Sequence, residues 1–267
     1  MIIESDMRHK WVYILIFTIL PIIVSCGGRR NHNSMSEEEP AKEYTIIQPS
    51  VSIDSSAVGL YLYYPCVDSI ALRCFVRPEP LKDRDIIFCC AAAFTLDYEK
   101  AADHNRICSA HVSDGMYYPK PRIRRNTGAF ISYNGSWSFL YQADADPVAF
   151  ESIFRAAAAN NGAGFAQEMM IHRGNQVPTT RPLNNVNLFR ALCEKDGRLC
   201  IADATESKSF GAFIQSLLDA GITEAIYTDM GGGWNYSWYR PFANGEAIFI
   251  HPTYQEAATN WLVFYSK

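Results

Sequence analysis

Short apolar runs bounded by polar or proline-containing segments set the rhythm of most of the chain. Residues 44–47, 59–64, 70–76 and 86–94 each combine β-branched and aromatic side chains, which predicts strands. Residues 129–133 and 136–141 flank Asn134-Gly135, the dipeptide that most readily takes a type I′ turn, and predict a hairpin. A second hairpin is expected where residues 188–193 and 199–202 flank Lys195-Asp196-Gly197, and residues 165–172, 225–228, 247–250 and 261–265 complete the predicted strands. Residues 147–160 read as a helix, capped by Asp146, opened by Pro147 and stopped by Asn160-Asn161-Gly162. Residues 209–220 read as another, with Phe210, Phe213, Ile214, Leu217 and Leu218 at the spacing of one buried face and Gly221 as the C-terminal cap. Strands outnumber helices by about four to one and hairpins occur among them, so the expected class is α+β: a mixed, largely antiparallel β-sheet with a few packed helices.

The opening of the chain follows a different pattern. Arg8, His9 and Lys10 precede residues 11–24, which are apolar apart from Thr18, and Ile23-Val24-Ser25-Cys26 follows. A basic start, an apolar stretch too short to span a bilayer comfortably and a terminal cysteine predict a lipoprotein signal over residues 1–25, with lipid attached to Cys26. An uncleaved anchor helix is the alternative, disfavoured because the apolar stretch stops at Cys26. Residues 26–42 turn polar and charged, with a Ser-Glu-Glu-Glu-Pro run, and are expected to be a disordered tether. Residues 43–267 are then expected to form one domain, held at a bacterial membrane by the lipid and facing the periplasm or the cell exterior.

With 48% hydrophobic and 13% aromatic residues, that domain can bury a large core without relying on disulfides. The net charge is −4, and Arg122, Arg124 and Arg125 form the only dense basic cluster, so a nucleic-acid partner is excluded and glycans or small molecules are favoured. Once Cys26 carries lipid, seven cysteines are left, and an odd number leaves at least one thiol unpaired. No Cys-x-x-Cys pair exists and the six histidines are scattered, which argues against a structural zinc site.

The candidate chemistry sits late in the chain. Asp229 ends a predicted buried strand and is followed by Met230 and then by Gly231, Gly232 and Gly233, with Asn235 just beyond. Glycines there would expose backbone N–H groups beside a carboxylate, as an anionic ligand and its reacting centre require, although a turn in which Asp229 accepts backbone hydrogen bonds fits equally well. Arg190 lies in a run whose both faces are otherwise apolar, so it must meet an anion, either a partner carboxylate or a ligand phosphate. Gln167 and Glu168 raise the same question within residues 165–171, where at least one of the two should point into a pocket. Arg173 comes at the end of that run.

The order of these pieces resembles the phosphodiester glycosidase family. It is carried by Phe165 to Ile171 followed by Arg173-Gly174, by Arg190 before a Lys-Asp-Gly-Arg hairpin, and by the helix, strand and Asp-Gly-rich unit of residues 207–237; it covers about residues 85–250. The stretch Cys89-Cys90-Ala91-Ala92-Ala93-Phe94 departs from the family by lacking an Asn, and Met230 stands between Asp229 and the glycines. The resemblance implies hydrolysis of a glycosyl phosphodiester in extracytoplasmic glycan turnover. Arg190, helped by Gln167, Arg173, Asn235 and the N–H groups of Gly231, Gly232 and Gly233, would hold the substrate; Asp229 would act as base or nucleophile and Glu168 as second carboxylate. No organic cofactor is implied, and a divalent ion shared between the acids stays open. The competing readings are a non-catalytic glycan-binding surface lipoprotein that stacks sugars on Trp234, Tyr236, Trp238 and Tyr239, or a plain surface structural protein.

Overall fold

In the computed structural model, the structure describes residues 48–95, 103–120, 127–144, 146–231, 235–252 and 259–266. The expected strand over 44–47, the lipoprotein signal, Cys26 and the tether lie outside them.

Every strand pair among the described residues is antiparallel, and the strands fall mainly into three sheets. The first sheet runs, in spatial order, Val51–Asp54, Leu60–Pro65, Arg198–Ala204, Arg190–Lys195, Glu224–Tyr227, Met169–His172 and Asn175–Gln176. The second runs Ile248–His251, Ser237–Tyr239, Ile86–Ala91, Asn260–Tyr265 and Ser69–Cys74. The third runs Met116–Tyr118, His111–Ser113, Ala163–Gln167, Gly128–Tyr133 and Ser136–Tyr141. Only two α-helices accompany them, α1 (Pro147–Ala159) and α2 (Phe210–Asp219). The expectation of an α+β fold with a mixed sheet is therefore corrected to a β-rich, antiparallel one. Several strands that no apolar run announces, among them Val51–Asp54, His111–Ser113 and Ser237–Tyr239, tip the balance.

The three sheets share one core. Tyr63, Leu192, Ile201 and Ile226 from the first meet Phe88, Leu72, Leu262 and Phe264 from the second and Phe130 and Phe165 from the third. Each helix covers an outer face. Phe210, Phe213, Ile214 and Leu217 of α2 pack on Ala191, Cys193, Ala202 and Tyr227 of the first sheet, while Phe150, Phe154 and Ala157 of α1 pack on Ala129, Ile131 and Ala166 of the third. Strand residues therefore alternate between the shared core and a helix-covered face, which explains why the central strands are buried on both sides.

Local chemistry sets the ends of these elements. Asp146 accepts from the Val148 N–H at 2.6 Å to open α1, and Ser209 accepts from the Ala212 N–H at 3.2 Å to open α2. Asn134-Gly135 and Asp196-Gly197 both take positive φ, 52° and 71° in the first pair and 51° and 68° in the second, closing two-residue hairpins as expected. The single strand expected over 165–172 proves to be two: Ala163–Gln167 belongs to the third sheet, Met169–His172 to the first, and Glu168 is where the chain crosses between them.

Candidate functional site

Arg190 opens its strand opposite Asp203. Alternation puts Arg190 on the same face as Leu192 and Asp203 on the same face as Ile201, so both charges enter the core shared by the sheets. Both are buried. Arg190 Nε and Nη2 donate to Asp203 Oδ2 at 3.1 and 2.8 Å, and Nη2 also donates to Ser237 Oγ at 2.8 Å across in the second sheet. His251 Nε2 lies 3.4 Å from Asp203 Oδ1. Burial works against the charge of Asp203, but the Arg190 guanidinium and His251 outweigh it and hold the carboxyl below the usual carboxylate range. Cys90 sits beside Arg190, and burial pushes its thiol up to about 11 in spite of that charge.

A second constellation surrounds Tyr227. Tyr227 belongs to the face covered by α2, and the Arg181 guanidinium lies over its ring at 4.6 Å and over Phe210 at 5.4 Å, with Phe94 and Phe189 each at 5.8 Å. Four aromatic faces around one planar cation fix its position and shield it from water. Glu168 is tied in from below: its carbonyl accepts from the Tyr227 N–H at 2.9 Å, and its Oε1 accepts from the Thr180 and Arg181 N–H groups and from Thr180 Oγ1. Its Oε2 lies 3.9 Å from Arg181 Nε. Gln167 Oε1 accepts from the Glu168 N–H at 3.1 Å.

Asp229 follows the strand Glu224–Tyr227 and carries the chain out of the first sheet, its N–H donating to the Ala92 carbonyl beside the second. The carboxyl is 4% exposed and its Oδ1 accepts from the Gly231 N–H at 3.1 Å. Burial raises it to about 7, opposed by the Gly231 N–H, the Arg181 guanidinium and the Met230 N–H. Such a group exchanges a proton at neutral pH, the property a general acid or base needs. Met230 explains its own presence, being buried in the cluster under α2.

The two constellations touch. The Thr228 N–H donates to the Arg190 carbonyl at 3.2 Å, and Ser237, which binds Arg190, donates to the Asn235 carbonyl at 3.1 Å. Along this connected path lie buried polar atoms with no hydrogen-bond partner among the described residues: Gln167 Nε2, Glu168 Oε2, Arg181 Nε, Arg190 Nη1, Thr228 Oγ1 and Asn235 Oδ1. Folded proteins satisfy nearly all such atoms internally, and a concentration of exceptions marks where a ligand supplies the partners.

The residues singled out from sequence thus divide. Glu168, Asp229 and Gly231 gather near Arg181, Gln167 is tied to them through the Glu168 N–H, and Arg190 and Asn235 join the path from the other sheet face. Arg173 does not: it occupies the turn at the far end of the strand Met169–His172, and its exposed side chain pairs with Asp144 at 3.3 Å. Gly232 and Gly233 lie outside the described residues. Arg181 was not among the sequence candidates; it belongs to a loop without periodicity, Thr179-Thr180-Arg181-Pro182, which gives no signal. Of the aromatic platform expected for glycan stacking, Trp234 lies outside the described residues, and Tyr236, Trp238 and Tyr239 are buried, because the strand Ser237–Tyr239 is flanked on both sides within the second sheet.

The fold is shared with a glycosidase domain. The zebrafish N-acetylglucosamine-1-phosphodiester α-N-acetylglucosaminidase catalytic domain, auto-inhibited by its pro-peptide, superposes with a TM-score of 0.53 at 10% identity, covering 85% of each chain. A hypothetical protein from Synechocystis matches with a TM-score of 0.45 at 11% identity, over 81% of this chain and 61% of that one. The sequence matches no family model and no curated protein. The likeness to the zebrafish domain is one of fold, in agreement at that level with the resemblance drawn from residues 85–250.

Proposed function

We propose that the chain is a hydrolase that cleaves the glycosidic bond of a sugar-1-phosphodiester. The observation that carries this reading is that Asp229, a buried carboxyl titrating near 7, lies within the electrostatic reach of Arg181, a guanidinium held on aromatic faces with its Nε unsatisfied. Arg181 suits the phosphate by charge and by its planar fork, while the Gly231 N–H is engaged by Asp229. Asp229 takes a proton from water as that water's oxygen bonds to the anomeric carbon. The bond from that carbon to the phosphate oxygen breaks, and its electron pair leaves with a phosphate monoester that needs no protonation. Glu168 Oε2 serves the positive charge developing on the sugar ring. Arg190, fully buried and bound to Asp203 and Ser237, acts as a positioning residue that joins the first sheet to the second and leaves Nη1 for the same array.

Full-length protein incubated with a panel of glycosyl-1-phosphodiesters should release free sugar. Asp229→Asn should lower kcat about 10²- to 10⁴-fold, the range for loss of a general base. Release of no sugar from any member, with intact glycan still bound, would replace this reading by the glycan-binding one. The site of action proposed from the chain start is a bacterial membrane, facing the periplasm or the cell exterior, with Cys26 as the lipid-bearing residue; Cys26→Ala should move the protein from the membrane to the soluble fraction.

A further inference from the structure

Away from that site, three side chains with metal-binding chemistry converge. Cys74 ends the strand Ser69–Cys74 of the second sheet, His104 opens the short 3-10 turn His104–Arg106, and His111 opens the strand His111–Ser113 of the third. One ligand atom from each lies within 4.8 Å of the other two. His111 is fully buried, and Cys74 and His104 are partly so. We propose that Cys74, His104 and His111 bind one zinc-class divalent ion through a thiolate and two neutral imidazoles, with solvent completing a tetrahedral site.

Hydrogen bonding prepares the donors. His111 Nδ1 lies 2.9 Å from the Ser109 carbonyl, which only accepts, so Nδ1 carries the proton and Nε2 presents its lone pair. That lone pair faces His104 Nδ1 at 2.8 Å. Opening this contact by about 0.5 Å seats both nitrogens about 2.0–2.1 Å from one zinc ion, with the Cys74 sulfur the third ligand. Burial keeps His111 neutral, its pKa pushed down to about 4, and pushes the Cys74 thiol up to about 12. A thiol that takes the ion binds it as the thiolate, and binding releases its proton. The Asp114 carboxylate acts on both Cys74 and His104 and offsets part of the remaining positive charge.

The backbone at Cys74 supplies an independent mark. Phe75 has φ of 65°, and the Val76 N–H donates to the Cys74 carbonyl at 2.9 Å, closing a three-residue turn of the strained hand. A bulky residue in that conformation persists only where its surroundings dictate it, and such positions gather at ligand sites. The Phe75 N–H donates to the Thr259 carbonyl at 2.7 Å, and its ring meets His104 edge-on at 4.9 Å while Tyr118 stacks on His104 at 3.6 Å. His104 is thus packed against two rings, as a preorganised ligand would be.

Chelator-treated full-length protein titrated with Co(II) tests the assignment. Expected are the visible bands of a tetrahedral cobalt site and a near-ultraviolet thiolate-to-cobalt charge-transfer band, saturating at one ion per chain and displaced by one equivalent of Zn(II). Cys74→Ser should abolish the charge-transfer band and weaken binding more than tenfold, and His104→Gln should weaken it comparably. Cys66→Ser, at an exposed cysteine elsewhere, should change neither. Circular dichroism confirms that each variant is folded, and a Cys74→Ala variant replaces any that is not. Absence of a charge-transfer band, or binding that survives loss of Cys74 or disappears with Cys66, overturns the proposal.

Discussion

Two arginine–carboxylate neighbourhoods lie on opposite faces of one sheet, and they resolve the burial of charge in opposite ways. Arg190 and Asp203 are bonded directly and supported by Ser237 and His251, so the carboxyl is held ionised. Arg181 is held by aromatic rings instead of by a carboxylate fork, and Asp229 near it is left with one backbone N–H at Oδ1 and a pKa near 7. A buried pair that compensates itself maintains architecture, whereas one left short of partners stores the capacity to bind and exchange protons.

Breaking the first neighbourhood should have the larger effect on stability. Asp203→Ala leaves the Arg190 guanidinium buried without its counter-ion and should cost about 3–5 kcal/mol in urea unfolding. Because the folded pKa of Asp203 is depressed, its contribution is present above the unfolded value near 4 and lost as pH falls through the folded one. A loss under about 1 kcal/mol would show that the pair is not the structural member of the two.

Asp229→Asn sharpens the contrast, because it should stabilise the fold while removing activity. The native carboxyl holds a proton that the unfolded chain releases near pH 4, so wild-type stability declines as pH rises from about 4 to 7 and the full penalty persists above. The variant should therefore gain up to about 4 kcal/mol at pH 8 and almost nothing at pH 4. Thermal unfolding at both pH values checks this, and equal gains at the two would refute it.

A smaller shift is expected for Arg181→Gln. Removing the guanidinium withdraws one of the influences that lower Asp229, so the acidic limb of the kcat/KM profile should move up by about one pH unit. Stability should fall by only about 1–2 kcal/mol, the range for a desolvated cation over aromatic rings. An unmoved limb would separate Arg181 from Asp229.

What the sequence disclosed and withheld follows from how local each feature is. Asn134-Gly135 and Asp196-Gly197 impose their turns through φ alone, and Phe210 to Leu218 declare α2 through spacing, so these elements were readable without their surroundings. Period two says that residues 165–172 extend but not which sheet each half joins, and the crossing at Glu168 is fixed by Tyr227 and Thr180, both remote in sequence from the alternation. Asp229, Glu168 and Arg190 stood out as charges in apolar runs. Arg181 could not, since its importance rests on four rings brought from other segments. The spacing argument against a structural zinc site addressed ligands close in sequence, whereas Cys74, His104 and His111 come from three separate elements.

The two carboxylates share one further property: each stands where the chain passes from one sheet to another, Glu168 between the third and first and Asp229 between the first and second. Their separation is thus a gauge of how the sheets are docked, not of any single strand. Repacking side chains at the Tyr63–Phe88 contact, which joins the first sheet to the second, would re-space the acids without touching either one. Descendants of this chain could adjust the spacing of the two acids by drifting in the interior, with the acids themselves unchanged.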